Sequence, residues 1–425
     1  MKNKTGLSNI GIWGSSRYLS RKTIRSVQEN NRINQGVVYY EPSEIEAFFD
    51  NNEAVGGMLF SGGYKTIRNR AIIRTIECAY MQGYSVAIIH NGNAELENEL
   101  ISYLTPLNLL DLVNAKNPFY EPFLGLNNNE ILQYILSSSS KEYKIGATGR
   151  YYINGISDFI NTKHIHPYTD MYITCPHFTL IDKINTAEAK GKISANEART
   201  ITSQILQGES EKGNIEAFFS ALSQQADYIL AKKKNLNKAT NFVQTALQKA
   251  IFSIDVRYAS NTLLINLFVS EAELLLSRGN KVFVIVDGEL FTTNNLLKDF
   301  INKMGSSSLV AISSNDAFSA FNGDENSFYS FAGKCAKIII SRHISAYSCE
   351  KISNLIGTYD KQEIVPTFSQ NTNMGTFWSY GNTKSASINT KRESIIKPEE
   401  IQRMADDEVI VFDKNNNEIS FVPII

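Results

Sequence analysis

Two short segments constrain this chain more than anything else in it. Leu59-Phe60-Ser61-Gly62-Gly63-Tyr64-Lys65-Thr66 follows an apolar stretch and opens a helix-like one. Lys281-Val282-Phe283-Val284-Ile285-Val286-Asp287-Gly288-Glu289 runs from a charged residue through five apolar ones to two carboxylates set apart by glycine. The first reads as a phosphate loop with glycines missing. The second is how a strand buried on both faces delivers acids to its C-terminal edge. Together they call for an α/β fold whose mostly parallel sheet presents phosphate-binding backbone and acidic side chains on one rim.

The pattern around the two segments fits that demand. Gly36 to Tyr40 reads as a strand, and Glu53 to Phe60 leads through another into the glycine turn. Ile67 to Met81 sets Ile72, Ile73, Ile76 and Tyr80 on one helical face, with Gly83 as a stop signal. The strand Ser85 to Ile89 then completes a right-handed βαβ unit. From about Asn127 to Asn241 strands become scarce, and segments such as Ala195 to Leu206 and Ile215 to Leu230 carry helical spacing. This predicts an all-helical domain over 127–241, inserted in a discontinuous nucleotide-binding domain made of 1–126 and 242–425. The sheet pattern resumes with Ala250 to Val256, a helix from Leu263 to Ser277, the acidic strand, and strands at Leu309 to Ile312 and Lys337 to Ser341. A helix at Cys349 to Leu355 and a late strand at Val409 to Phe412 follow, while Thr367 to Thr390, rich in Asn, Ser, Thr and Gly, reads as a loop or flexible arm.

Composition narrows the function classes. With 425 residues, 43% of them hydrophobic, the chain can bury a large core and divide into two domains. A formal net charge of −1, from 42 basic and 43 acidic residues, supplies no global field for nucleic acid, so any contact with DNA needs a local basic surface. The four cysteines, Cys78, Cys175, Cys335 and Cys349, form no CxxC pair, as expected of reduced thiols in a cytosolic protein. No run approaches the roughly 20 apolar residues that cross a bilayer, and Met1 to Thr5 lacks the apolar core of a secretory signal. A cytoplasmic location is expected, with peripheral contact at the inner face of the cell membrane left open.

The residue types at the two segments suggest a division of labour around ATP and Mg²⁺. Gly62 and Gly63 would let successive N–H groups point at phosphate oxygens, Lys65 would add a point charge, and Thr66 would offer its hydroxyl to Mg²⁺. Asp287 would hold Mg²⁺, and Glu289 would orient or deprotonate an attacking water, if nucleotide binds. Leu59 and Tyr64 stand where glycines are usual, and a bulky residue at a strained position costs on the order of 1–3 kcal/mol unless the loop rearranges. A plain glycine turn and a pair of solvent-facing strand-end acids are the simpler readings. His90-Asn91 ends a predicted strand and faces the same edge. His164-Ile165-His166 and Cys175-Pro176-His177 complete no tetrahedral zinc set and read as polar surface or core. Lys232-Lys233-Lys234 reads as a solvated helix end.

With these landmarks placed, the chain resembles the conjugative type IV secretion coupling proteins of the TraG/TraD kind across nearly its whole length. The likeness is carried by Trp13-Gly14-Ser15-Ser16-Arg17-Tyr18-Leu19-Ser20-Arg21-Lys22-Thr23-Ile24-Arg25 and by Gly208-Glu209-Ser210-Glu211-Lys212 followed by Ala217 to Leu230. Arg392-Glu393-Ser394-Ile395-Ile396-Lys397-Pro398-Glu399-Glu400-Ile401, with Asp406-Asp407-Glu408 and a strand, is the most specific match. The resemblance implies a RecA-like P-loop NTPase fold with an all-helical domain, often hexameric, that recruits relaxase-bound DNA or effector proteins to a secretion channel. Lys65 and Thr66 match its phosphate-loop pair; Asp287 and Glu289 match its acidic pair, here separated by Gly288. Besides Leu59 and Tyr64, His90-Asn91 replaces the Asp-Pro that usually ends the strand after the loop. Ser313-Ser314-Asn315-Asp316 stands where a nucleotide-sensing glutamine is expected, and the transmembrane pair of many members has no counterpart. The expectation is a recruitment component, partnered by secretion-system proteins, relaxase or effector substrates, DNA and further copies of itself, with ATP hydrolysis weak or lost. An active hexameric translocase is the alternative, and an unrelated α/β protein that echoes the motifs is the third.

Overall fold

The computed structural model describes residues 21–40, 56–63, 65–139, 143–162, 168–257, 261–288, 290, 294–303, 305, 307–373 and 379–424, with side chains for these except 319 and 366–385. The chain divides into two compact units, 46–339 and 1–45 with 340–425. It enters through α1 (Arg21–Gln35) and β1 (Val37–Tyr39) of the smaller unit. The larger unit begins with β2 (Gly57–Ser61), α2 (Lys65–Met81), β3 (Ser85–His90), α3 (Ala94–Leu104) and β4 (Leu110–Val113). A helical stretch follows: α4 (Asn128–Ser138), α5 (Gly149–Asn161), α6 (Thr169–Ile173), α7 (Leu180–Ala189), α8 (Ala195–Gln207), α9 (Lys212–Ala226) and α10 (Phe242–Leu247). The strands then return as β5 (Ile251–Asp255), α11 (Thr262–Ser277), β6 (Val282–Asp287), α12 (Asn295–Asn302), β7 (Ser308–Ser314), α13 (Ala317–Ala320), α14 (Glu325–Lys334) and β8 (Cys335–Ile340). The smaller unit resumes with α15 (Ala346–Ile356), β9 (Thr358–Asn373), β10 (Ser379–Ser394), α16 (Pro398–Gln402), β11 (Glu408–Asp413) and β12 (Glu418–Pro423).

The strands of the larger unit lie in the order β8-β2-β7-β6-β3-β5-β4. Each pairing from β2 to β4 is parallel. Every residue of β2, β5, β6 and β7 is buried, which is why these segments read as continuous apolar runs and not as alternating ones. Strand β2 does not neighbour β3, as a minimal βαβ unit would have it: β7 and β6 come between, so the chain crosses two strand positions through α2. The phosphate-loop strand and the acidic strand are thereby separated only by β7.

The helical stretch is tied to the sheet side of the unit through Glu271 of α11. Its Oε1 accepts from the hydroxyls of Tyr120 (2.5 Å) and Tyr134 (2.9 Å), and its Oε2 from the Phe242 N–H (2.7 Å). Helix starts follow sequence chemistry, with reciprocal capping boxes at Asn127/Glu130 and Ser194/Glu197. Helix α9 ends at Ala226 and not near Leu230, because the chain beyond it pairs with Tyr120, whose N–H donates to the Ile229 carbonyl (2.9 Å). The basic run at 232–234 enters a short 3₁₀ turn over Lys233–Lys238. Gly208, between α8 and α9, is required by close approach: a Cβ there would lie 2.5 Å from the Tyr152 nitrogen.

In the smaller unit β11 and β12 pair antiparallel, and β1 joins β12 in parallel. The described parts of the segment expected to be a loop or flexible arm, 367–373 and 379–390, instead lie in a two-stranded antiparallel ribbon, β9 with β10, in register from Thr358↔Ser394 to Asn373↔Ser379. Asn, Ser and Thr read as turn formers, yet a ladder satisfied by its own backbone needs no apolar alternation. The ribbon edge is held by an amide row on α1. Asn31 donates to the Gln362 carbonyl (2.9 Å) and accepts from its N–H (2.7 Å), and Asn34 donates to the Asp360 carbonyl (3.1 Å). Of the family-like opening segment, Trp13 to Ser20 lies outside the described residues and Arg21 to Arg25 begins α1.

Candidate functional site

Parallel register brings the ends of β2, β7, β6, β3 and β5 to one rim. Ser61 stands opposite Ser314, Asp287 opposite Ser313 and His90, and His90 opposite Asp255. Lys65 opens α2 at that rim, partly exposed, with Thr66 exposed beside it. The glycine turn and Asp287 therefore lie on one rim, with β7 between their strands. Glu289 and Tyr64 lie outside the described residues, as do His164 and His166.

The loop itself is shorter than expected. Leu59, taken as the residue that opens it, is a strand residue only 1% exposed and opposite Ile312, so just positions 62–64 separate β2 from α2. Gly62 takes φ +140°, a conformation that side-chain-bearing residues rarely adopt. Both of its backbone groups are used internally. Its N–H donates to the Ser314 carbonyl (3.2 Å), and its carbonyl accepts from the Arg68 guanidinium. Gly63 is exposed.

Arg68 is the residue that the sequence reading missed. It is only 4% exposed, and besides Gly62 it reaches the Ser313 hydroxyl from Nε (3.4 Å). Burial pushes its guanidinium below the ordinary arginine value, and the fields of Asp287 and then Glu95 act against that shift. Its sequence signal is a charge on an apolar stripe: Arg68, Ile72 and Ile76 recur every four residues on the buried side of α2.

Asp287, 5% exposed, accepts from the Asn93 side-chain amide at 2.6 Å. The same amide nitrogen lies 3.2 Å from Asn69 Oδ1, and Asn93 Oδ1 caps α3 by accepting the Leu96 N–H (3.1 Å). His90 is fully buried; its Nδ1 accepts from the Asn93 N–H (3.2 Å), while Nε2 stops 3.6 Å from Glu97 Oε1 without a hydrogen bond. Burial holds its pKa below the usual histidine value; Asp255, Glu97 and Asp287 oppose this and Lys65 reinforces it. The imidazole is therefore neutral, with its proton on Nε2. Asp255 accepts from the N–H groups of Gly92 (2.9 Å) and Arg257 (2.8 Å) and serves as a turn staple.

Among the described residues no group of three or more His, Cys, Asp or Glu side chains could hold a metal ion, His177 sits 3.1 Å from the Tyr152 hydroxyl, and none of the four cysteines is in a disulfide. This arrangement does not fit a magnesium nucleotide. The Gly62 N–H is spent on a strand carbonyl, the Gly62 carbonyl is taken by Arg68, and that guanidinium lies in the field of the one described acid that would bind the metal.

Comparison with solved structures finds a similar fold. The trigonal, sulphate-complexed form of the bacterial conjugative coupling protein TrwBdeltaN70 superposes with a TM-score of 0.50 at 11% identity, covering 91% of this chain and 93% of that one. The fold is RecA-like, as in TrwB. The plasmid coupling protein TrwB in complex with the ATP analogue ADPNP gives 0.49 at 12% identity over 88% and 86% of the two chains. VirB4 of Thermoanaerobacter pseudethanolicus gives 0.39 at 13% identity over 71% and 80%. No protein-family model matches the sequence, and no curated protein does. Among the described residues no helix is long and apolar enough to cross a membrane.

Proposed function

We propose that this chain is a coupling-protein-like component of a conjugative or type IV secretion system, which recruits protein or DNA–protein substrates to a channel while its RecA-like unit serves as a scaffold with ATP hydrolysis weak or lost. The observation that carries this reading is a preserved rim with a disabled interior. Lys65 and Asp287 share one sheet edge, yet the N–H and carbonyl of Gly62, which begins the loop, are taken by Ser314 and Arg68. The helical stretch over 127–241 is the inserted domain of this reading. Its partners are secretion-channel proteins, relaxase or effector substrates and further copies of the chain, and its place is the cytoplasm or the inner face of the membrane.

The second reading, an ATP-driven hexameric translocase, is favoured by the survival of Lys65, Thr66 and Asp287 at that rim. Turnover of Mg-ATP by the purified chain, with and without DNA, decides between them. Under the scaffold reading turnover stays far below about 1 s⁻¹ and does not respond to Lys65→Ala. Turnover on the order of 1 s⁻¹ that collapses in both Lys65→Ala and Glu289→Gln refutes it.

A further inference from the structure

Ser313 is the residue that separates the two halves of the rim, standing opposite Phe60 on one side and Asp287 on the other. A side chain bound at Ser313 therefore lies over the gap that a phosphate–metal bridge would span between the Lys65 turn and Asp287. Arg68 is bound there, and its second contact is the carbonyl of the glycine that begins the turn.

We propose that Arg68 is a built-in cation of this pocket, holding the phosphate loop closed in place of a magnesium nucleotide. A guanidinium supplies the positive charge that Asp287 would otherwise take from a metal, and it satisfies a loop carbonyl that would repel phosphate oxygens. It arrives on the same helix whose N-terminus would receive a phosphate, so no external ligand is needed to neutralise the rim. A divalent cation cannot share the site with it without like-charge repulsion in a water-poor setting. Two further polar atoms in the cluster, Asn69 Nδ2 and His90 Nε2, are buried without a hydrogen-bond partner, as expected of a pocket collapsed on itself and not optimised as solid core. The inference rests on reading the rim as a lapsed nucleotide site.

The test is calorimetric titration of the full-length chain with Mg-ATP, comparing wild type with Arg68→Gln and Arg68→Lys, each checked for native far-ultraviolet dichroism. Arg68→Gln is expected to bind at least about tenfold more tightly than wild type. Arg68→Lys keeps the charge but not the planar fork, and is expected to gain about threefold. A folded Arg68→Gln with unchanged or weaker affinity overturns the proposal, weaker binding meaning that Arg68 is a phosphate ligand. Should Arg68→Gln fail to fold, Arg68→Lys decides alone: a gain supports the proposal and no gain overturns it. The ratio of variant to wild-type affinity judges Arg68, whereas wild-type turnover judges the scaffold function, so either can fail without the other.

Discussion

Asp287 and Glu271 are both buried carboxylates of the larger unit, and their partners differ in kind. Glu271 is surrounded by three neutral donors, two phenols and one backbone N–H, all within hydrogen-bond distance. Burial drives its pKa up to about 7 and holds those of Tyr120 and Tyr134 well above the usual phenol value. Asp287 has one amide donor and the field of a buried arginine, beside polar atoms left without partners. A carboxylate closed off by neutral donors joins elements together; one with a single neutral donor in the field of a buried cation keeps charge to spare. The same unit thus shows a polar cluster built for packing and another that the proposed function reads as the remnant of a binding site.

The largest expected effect is at the packing cluster. Glu271→Ala leaves the hydroxyls of Tyr120 and Tyr134 and the Phe242 N–H without their acceptor in a dry interior, so a loss of about 3–5 kcal/mol in urea-unfolding free energy is expected. The two hydroxyls, 3.3 Å apart, can recover part of this by turning to each other. A loss under about 1 kcal/mol would erase the contrast, because Glu271 would then hold nothing together.

Next in size is a pH effect centred on Glu271. Glu271 and Glu121 are raised from 4.5 to about 7, so between those values the folded chain keeps protons that the unfolded chain has released. Their contribution is fully present below about 4.5 and is lost as pH rises through about 7. His177, lowered from 6.5 to about 4, works the other way, losing its contribution as pH falls through that window. Glu271→Gln removes one titration and leaves the others in place. Relative to that variant, wild type should lose on the order of 1–3 kcal/mol between pH 4.5 and 7.5. Parallel stability curves would show that Glu271 is not held protonated.

The fold was legible because buried parallel strands announce themselves as apolar runs, and those at β3, β6 and β7 were found within a residue or two of their ends, whereas the stretch read from Glu53 becomes strand only at Gly57. The shared rim of Lys65 and Asp287 was legible for the same reason, since a parallel sheet puts all strand C-termini together. The β9–β10 ribbon was not, because its cohesion is backbone pairing that leaves little hydrophobic period. Leu59 was misplaced by motif matching, which counts positions from the lysine and cannot see how far the strand runs. Arg68 was overlooked because surface charge is the ordinary reading of an arginine on a helix; only its alignment with Ile72 and Ile76 marked it.

The smallest effect is the most discriminating, because Asn93 serves both chemistries at once. Its Oδ1 caps α3 at 3.1 Å from the Leu96 nitrogen, a scaffold role, while its amide donates to Asp287 at 2.6 Å, at the rim. Asn93→Ala removes both and should cost about 1–2 kcal/mol in unfolding free energy; Asn93→Ser keeps a capping oxygen and loses the bond to Asp287. If the rim is a relic whose acid is already balanced by Arg68, the serine variant should recover most of the stability lost by the alanine variant, leaving a deficit of only about 0.5 kcal/mol. If it stays as unstable as alanine, Asp287 depends on Asn93 and not on the guanidinium, and the rim would then be a neutral-donor cluster of the same kind as that around Glu271.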